Sequence, residues 1–149
     1  MFLVLCHLSL AGEKQIEVSA LPAAVTTAVQ TRIPGAVIVG AAIEGKEYEA
    51  EITIGERRVD LAFKADGSWL EEEEVVASDT LPDAIKTVLS ARWKGWTVER
   101  AERAITPKGT TFEVKIEHGE QNAEVVFSET GAVKRVEQEE EDEDEEGEH

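Results

Sequence analysis

Tyr48-Glu49-Ala50-Glu51-Ile52 returns later in the chain as Phe112-Glu113-Val114-Lys115-Ile116. In both, an aromatic leads an alternating run, apolar on one side and charged on the other. That is the period-2 pattern of a half-buried strand. The surroundings repeat as well. Leu-Pro opens each copy (Leu21-Pro22, Leu81-Pro82), and a helical apolar pattern then runs to a Gly (Gly35, Gly95). After the quoted strand come a Gly (Gly55, Gly119), a second alternating run and a turn Gly (Gly67, Gly131). The second run is Val59-Asp60-Leu61-Ala62-Phe63 in one copy and Ala123-Glu124-Val125-Val126-Phe127 in the other. The copies occupy residues 21–75 and 81–136. A duplication inside 149 residues implies two small units of about sixty residues, each with a modest core, that support one another.

In the first copy, Ser19 is placed to cap a helix and Pro22 suits its first turn. Leu21, Ala24, Val25, Ala28, Val29 and Ile33 make one apolar stripe, and Pro34-Gly35 stops it. Strands are expected over 37–43, 47–54, 58–64 and 69–76, joined by short turns at Gly45, Gly55 and Asp66-Gly67. In the second copy, Asp79 or Thr80 serves as cap, and Leu81, Ala84, Ile85, Val88, Leu89 and Trp93 form the stripe. Strands follow over 97–105, 111–118, 121–128 and 132–137, with a longer first hairpin at Thr106-Pro107-Lys108-Gly109. The expected fold is α+β: two tandem repeats, each one helix packed on a four-stranded antiparallel sheet in the order α-β-β-β-β. The divisions are 1–11, a leader; 12–76 and 77–137, the repeats; and 138–149, an acidic tail that stays disordered because like charges repel and nothing apolar is there to bury.

The formal net charge is −17, and ten of the 32 acidic residues lie in 137–149, leaving −7 for the rest. Such a chain is repelled by phosphate backbones and anionic lipid, which argues against nucleic-acid and membrane-surface roles. The single cysteine, Cys6, allows no internal disulfide. Residues 2–10 are almost continuously apolar, and Ser9-Leu10-Ala11 has the small-x-small form of a signal-peptidase site. The reading is a secretory signal cut after Ala11, its basic start lying upstream of Met1. A short buried strand is the alternative. The run is too short to span a bilayer, and Leu5 before Cys6 is too large for a lipoprotein site.

Catalytic constellations do not assemble. His7, His118 and His149 have no partner at metal-ligand spacing, and there is no P-loop, G-x-S-x-G, G-x-G-x-x-G or H-E-x-x-H. No cofactor is expected. His118, beside Gly119, reads as a solvated turn residue. Glu71 to Glu74 alternate across a strand and so do not converge as an acid–base pair; they read as an edge strand guarded by charge. Trp69, Trp93 and Trp96 read as core or core-edge residues, Trp96 being the one to check for exposure. The tail's carboxylates would hold Ca²⁺ only weakly, since Glu139 to Glu146 lack the turn glycine and fixed ligand order of a tight site.

The remaining candidate is a face. Glu49, Glu51 and Asp60, with Glu113, Glu117 and Glu124 in the second copy, point away from the apolar side, relieved by Lys64 and Lys115. They read either as an ordinary solvated sheet face or, if the two sheets are continuous, as one broad acidic docking surface for a basic protein.

The Leu-Pro helix start, the Pro-Gly stop, the aromatic-Glu-x-x-Ile strand and the Phe-x-x-x-Gly hairpin together resemble the PepSY-like, beta-lactamase-inhibitor-like family. The resemblance covers residues 16–136. It implies secreted or periplasmic location, helix-plus-antiparallel-sheet repeats, and binding of proteins rather than catalysis. The hairpin tips (Gly45-Lys46, Ala65-Asp66-Gly67, Lys108-Gly109) lack an aromatic plug, so inhibition of a beta-lactamase does not carry over. The expectation is a non-catalytic extracytoplasmic module that binds a protein, a basic one or an extracytoplasmic enzyme, through its open sheet face and hairpin tips. The alternative is an envelope structural protein whose acidic tail buffers cations.

Overall fold

The computed structural model describes residues 12–139; the leader reading over 1–11 and most of the acidic tail lie outside it. Two helices and nine strands occur among the described residues, every pairing within each unit antiparallel. The chain divides into two compact units, Met1–Glu73 and Glu74–His149.

In the first unit, β1 (Lys14–Ile16) precedes a 3-10 turn at Val18–Ala20 and α1 (Ala23–Arg32). Then come β2 (Val37–Glu44), β3 (Glu47–Ile54), β4 (Arg57–Lys64) and β5 (Trp69–Val76), whose last three residues belong to the second unit. Each strand pairs with the one before it. In the second unit, a 3-10 turn at Ser78–Thr80 leads to α2 (Asp83–Arg92), β6 (Thr97–Thr106), β7 (Gly109–His118), β8 (Gln121–Ser128) and β9 (Val133–Glu139). Again β6 to β9 pair in sequence.

The meander follows from its turns. Gly45, Gly55 and Gly119 each sit first in a two-residue hairpin loop with φ near +60°, the conformation a type II′ turn asks of its first central residue. The helices end where positive-φ glycines follow, Gly35 and Gly95. Inward residues of the alternating strands then meet the helix. Val25 and Val29, one turn apart on α1, join Ala50, Ile52, Val59, Leu61 and Phe63 in the first core. Ile85 joins Val114, Ile116, Ala123, Val125 and Phe127 in the second.

Several local expectations are revised. The first unit has a further strand, β1, on the outer side of β2. Ser19, Asp79 and Thr80 do not cap the helices: all three sit in the 3-10 turns, and Pro22 and Pro82 take the N-cap positions without a side-chain cap. The backbone of each turn is already closed, Ala20 N–H donating to Glu17 O and Thr80 N–H to Ala77 O. Ala24 and Ala84 are exposed rather than part of the buried stripe. The backbone carbonyl of each instead lies against a β-hairpin, where a Cβ on Gly67 would fall 2.7 Å from Ala24 O and one on Gly131 2.8 Å from Ala84 O.

The hairpin at Pro107-Lys108 is no longer than that at Gly45-Lys46. The extra residues lengthen β6 and β7 to ten residues each, against eight in β2 and β3, because they pair as Ala104 with Thr111 and Ile105 with Thr110. Residues 138 and 139 are strand rather than tail, Gln138 pairing with Ala123 and Glu139 with Asn122.

Candidate outer sheet face

One side of each meander is taken by its helix, so the opposite side is the face on which charge collects. Register decides which charges meet. On the first unit, Glu51 stands opposite Asp60, and Asp60 opposite Glu73; beside that row, Glu49 and Glu71 flank Ala62. Like charges directly opposite one another in a sheet oppose pairing. Glu73 is only 6% exposed. Arg58 offsets part of this repulsion through an ion pair with Glu51. Gly40, opposite Glu51 on β2, leaves room for that carboxylate: a Cβ at 40 would lie 3.0 Å from Glu51 Oε2. Lys64, opposite Glu47 at the strand end, is exposed.

The second unit has the same register and different contents. Glu102 stands opposite Glu113, which is followed by Val126 and Arg135. The next row runs Arg100, Lys115, Glu124 and Glu137. Arg100 pairs with Glu102, which is 6% exposed. Arg135 reaches Glu124 Oε1 at 3.5 Å and Glu137 Oε1 at 3.3 Å, and Lys115 Nζ lies 4.0 Å from Glu99 Oε2. Glu117, opposite Asn122, is exposed. Burial pushes the Glu113 carboxyl up to about 7, reinforced by the neighbouring Glu124 and Glu102.

All eight sequence-derived candidates lie on outward positions of their strands, and register groups them by unit. Glu49, Glu51 and Asp60 meet in the first, and Glu113, Lys115 and Glu124 in the second, with Glu117 and Lys64 toward strand ends. Sequence reasoning missed Glu71 and Glu73 on the first face and Arg100, Glu102 and Arg135 on the second. The in-phase alternation of β5 with β4 was the available signal for Glu71 and Glu73. Glu71 to Glu74 are each drawn into contacts of their own. Glu72 accepts a hydrogen bond from Arg32 at 2.9 Å, Glu74 accepts one from Arg103 at 2.7 Å, and Glu73 is buried.

The three tryptophans are core-edge residues. Trp93 meets the Phe127 ring edge-on at 6.4 Å, and Trp69 lies beneath the Arg32 guanidinium at 3.5 Å. Trp96 is partly buried and stacks on His118 at 5.6 Å, so the exposed His118 has an aromatic neighbour rather than solvent alone. Among the described residues no group of three or more His, Cys, Asp or Glu is arranged to hold a metal ion, and no helix is long and apolar enough to cross a membrane.

A helix laid on one side of an antiparallel meander, occurring twice, with a charged opposite side, defines an α+β protein built around a sheet surface. The chain belongs to the family described as "Putative beta-lactamase-inhibitor-like, PepSY-like", whose model matches residues 11–64 and 46–135. Among solved structures it is similar to a BLIP-like protein from Bacteroides fragilis, with 25% identity, a TM-score of 0.70, and coverage of 81% of this chain and 90% of that one. A DUF2874 family protein from Bacteroides uniformis (20% identity, TM-score 0.72, 78% and 88% covered) shares the fold. So does a protein from Bacteroides eggerthii described as "putative periplasmic" (16% identity, TM-score 0.72, 78% and 88% covered). No curated protein matches the chain.

Proposed function

We propose that this protein is a non-catalytic, extracytoplasmic protein-binding module: two tandem repeats, each a helix on an antiparallel meander, that dock a partner through the outer sheet face in the style of an inhibitor. Family membership supports the binding style, and the periplasmic description of a structural neighbour supports the location. The observation that carries the reading is the cross-strand acidic row Glu51, Asp60 and Glu73 with Glu49 and Glu71 beside it. A cationic partner surface would meet this row with complementary charge, raising the association rate and excluding acidic competitors.

The partner is accordingly a protein with a basic patch, an extracytoplasmic enzyme being one such class. The test is affinity capture from envelope extract with three baits: the chain from Gly12 to His149, the same bait ending at Glu139, and the long bait carrying Glu49→Lys, Glu51→Lys and Asp60→Lys. A stoichiometric partner held by the first two baits and lost from the third supports docking on the first unit's face. Retention that ignores the substitutions, or that needs residues 140–149 and vanishes in moderate salt, would reject it and leave the tail acting as a polyanion.

A further inference from the structure

The carboxylates of the second unit are arranged differently from those of the first, and the difference bears on protons. Glu113 on β7 is directly opposite Glu102 on β6, and one diagonal step from Glu124 on β8. Diagonal neighbours on one face of a sheet are within reach of long side chains. The ion pairs around this trio fall on its outer members: Arg100 of β6 pairs with Glu102, and Arg135 of β9 with Glu124 and with Glu137, while Arg135, in the same row as Glu113, only partly offsets the upward push on that carboxyl. Lys115, two residues along β7 on the same face, lies by Glu99. Glu113 is half-buried between the two flanking carboxylates.

We propose that the Glu102–Glu113–Glu124 cluster is a proton-operated charge switch, in which one proton held between Glu113 and Glu124 sets whether this face carries one negative charge more or one fewer. With Glu113 protonated, Glu102 keeps its pair with Arg100, Glu124 and Glu137 keep theirs with Arg135, and the Glu113 hydroxyl donates to Glu124. Loss of that proton removes the hydrogen bond and adds a further negative charge beside two others. The environment favours the neutral form up to about pH 7, so the exchange falls near neutrality, where an ordinary surface glutamate is fully ionised. The first unit lacks this arrangement: the position matching Arg100 is Gly40, that matching Lys115 is Glu51, and that matching Arg135 is Glu71.

The sign of the linkage is fixed. A carboxyl raised in the fold holds more protons there than in the unfolded chain between its two values. Its contribution to stability is therefore present at acidic pH and is lost as pH rises through about 7. The effect on a docked partner rests on the docking reading above; the proton exchange does not, and the experiment reads the exchange alone.

Side-chain carboxyl NMR of the full chain is expected to show Glu113 titrating near pH 7, well above the ordinary glutamate value of 4.5. Glu124→Gln is expected to move the Glu113 midpoint down by a unit or more. In denaturant melts, the wild-type midpoint should fall between pH 5.5 and 8, and Glu113→Gln should flatten that fall. A Glu113 midpoint among the other glutamates, or one that neither Glu124→Gln nor Glu102→Gln moves, would overturn the switch. An unchanged pH slope in Glu113→Gln would do the same. The wild-type titration keeps the test valid even if a variant folds poorly.

Discussion

Gly67 and Gly131 show how much a single missing Cβ does in this fold. Each has a positive φ, near +85°, and each brings its hairpin backbone against a first-turn carbonyl of the helix in its own unit. An added methyl meets two obstacles, the left-handed backbone and an oxygen less than 3 Å away. Gly67→Ala is expected to cost about 2–3 kcal/mol, combining the αL penalty with overpacking. Gly119→Ala, with nothing within 4 Å of the added atom, should cost about 1 kcal/mol. Chemical denaturation of the two variants checks this, and equal losses would show that the contact with the helix contributes nothing. At this scale the sequence was only half legible. The glycines marked turns by their residue type, but which of them also touched a helix depends on packing that no local pattern records.

At the scale of elements, alternation and turn residues located the eight long strands to within two residues, because a half-buried strand must alternate and a tight hairpin needs its glycine. β1 escaped, since Lys14-Gln15-Ile16 is too short to display a period. The bulges after Ile38 and Val98 escaped too, since a bulge exists only relative to a partner strand. Outward positions of the candidate face were readable from the same alternation. Their neighbours across the sheet were not, so Arg100 and Arg135 went unassigned. The end of α1 carries a further prediction. Arg32 stacks on Trp69, donates to Glu72 and lies in the last turn, where a cation is favoured. Arg32→Ala should lower stability by about 1–2 kcal/mol, read by thermal or denaturant melts, by removing a contact that ties helix to strand. Arg32→Lys should recover only part, lacking the planar stacking surface. Full recovery by lysine would mean that charge alone matters.

For the whole molecule, a net charge of −17 at neutral pH sets a background of self-repulsion. Raising NaCl from 10 to 300 mM shortens the Debye length to well under the size of a domain. The thermal midpoint should then rise by about 3–6 °C, equivalent to roughly 1 kcal/mol in a chain this size. Removal of residues 140–149 should shrink the rise. A midpoint that falls with salt would instead make the surface ion pairs dominant over the net charge. The unequal glycine contacts also bear on protein engineering. Around Gly45, Gly55 and Gly119, a Cβ would meet nothing within 4 Å, whereas Gly67 and Gly131 press on their helices. The first three turns are thus the places to splice in a peptide for display or a fluorescent reporter. An insert at either of the other two would have to displace the hairpin from its helix before it could be presented at all.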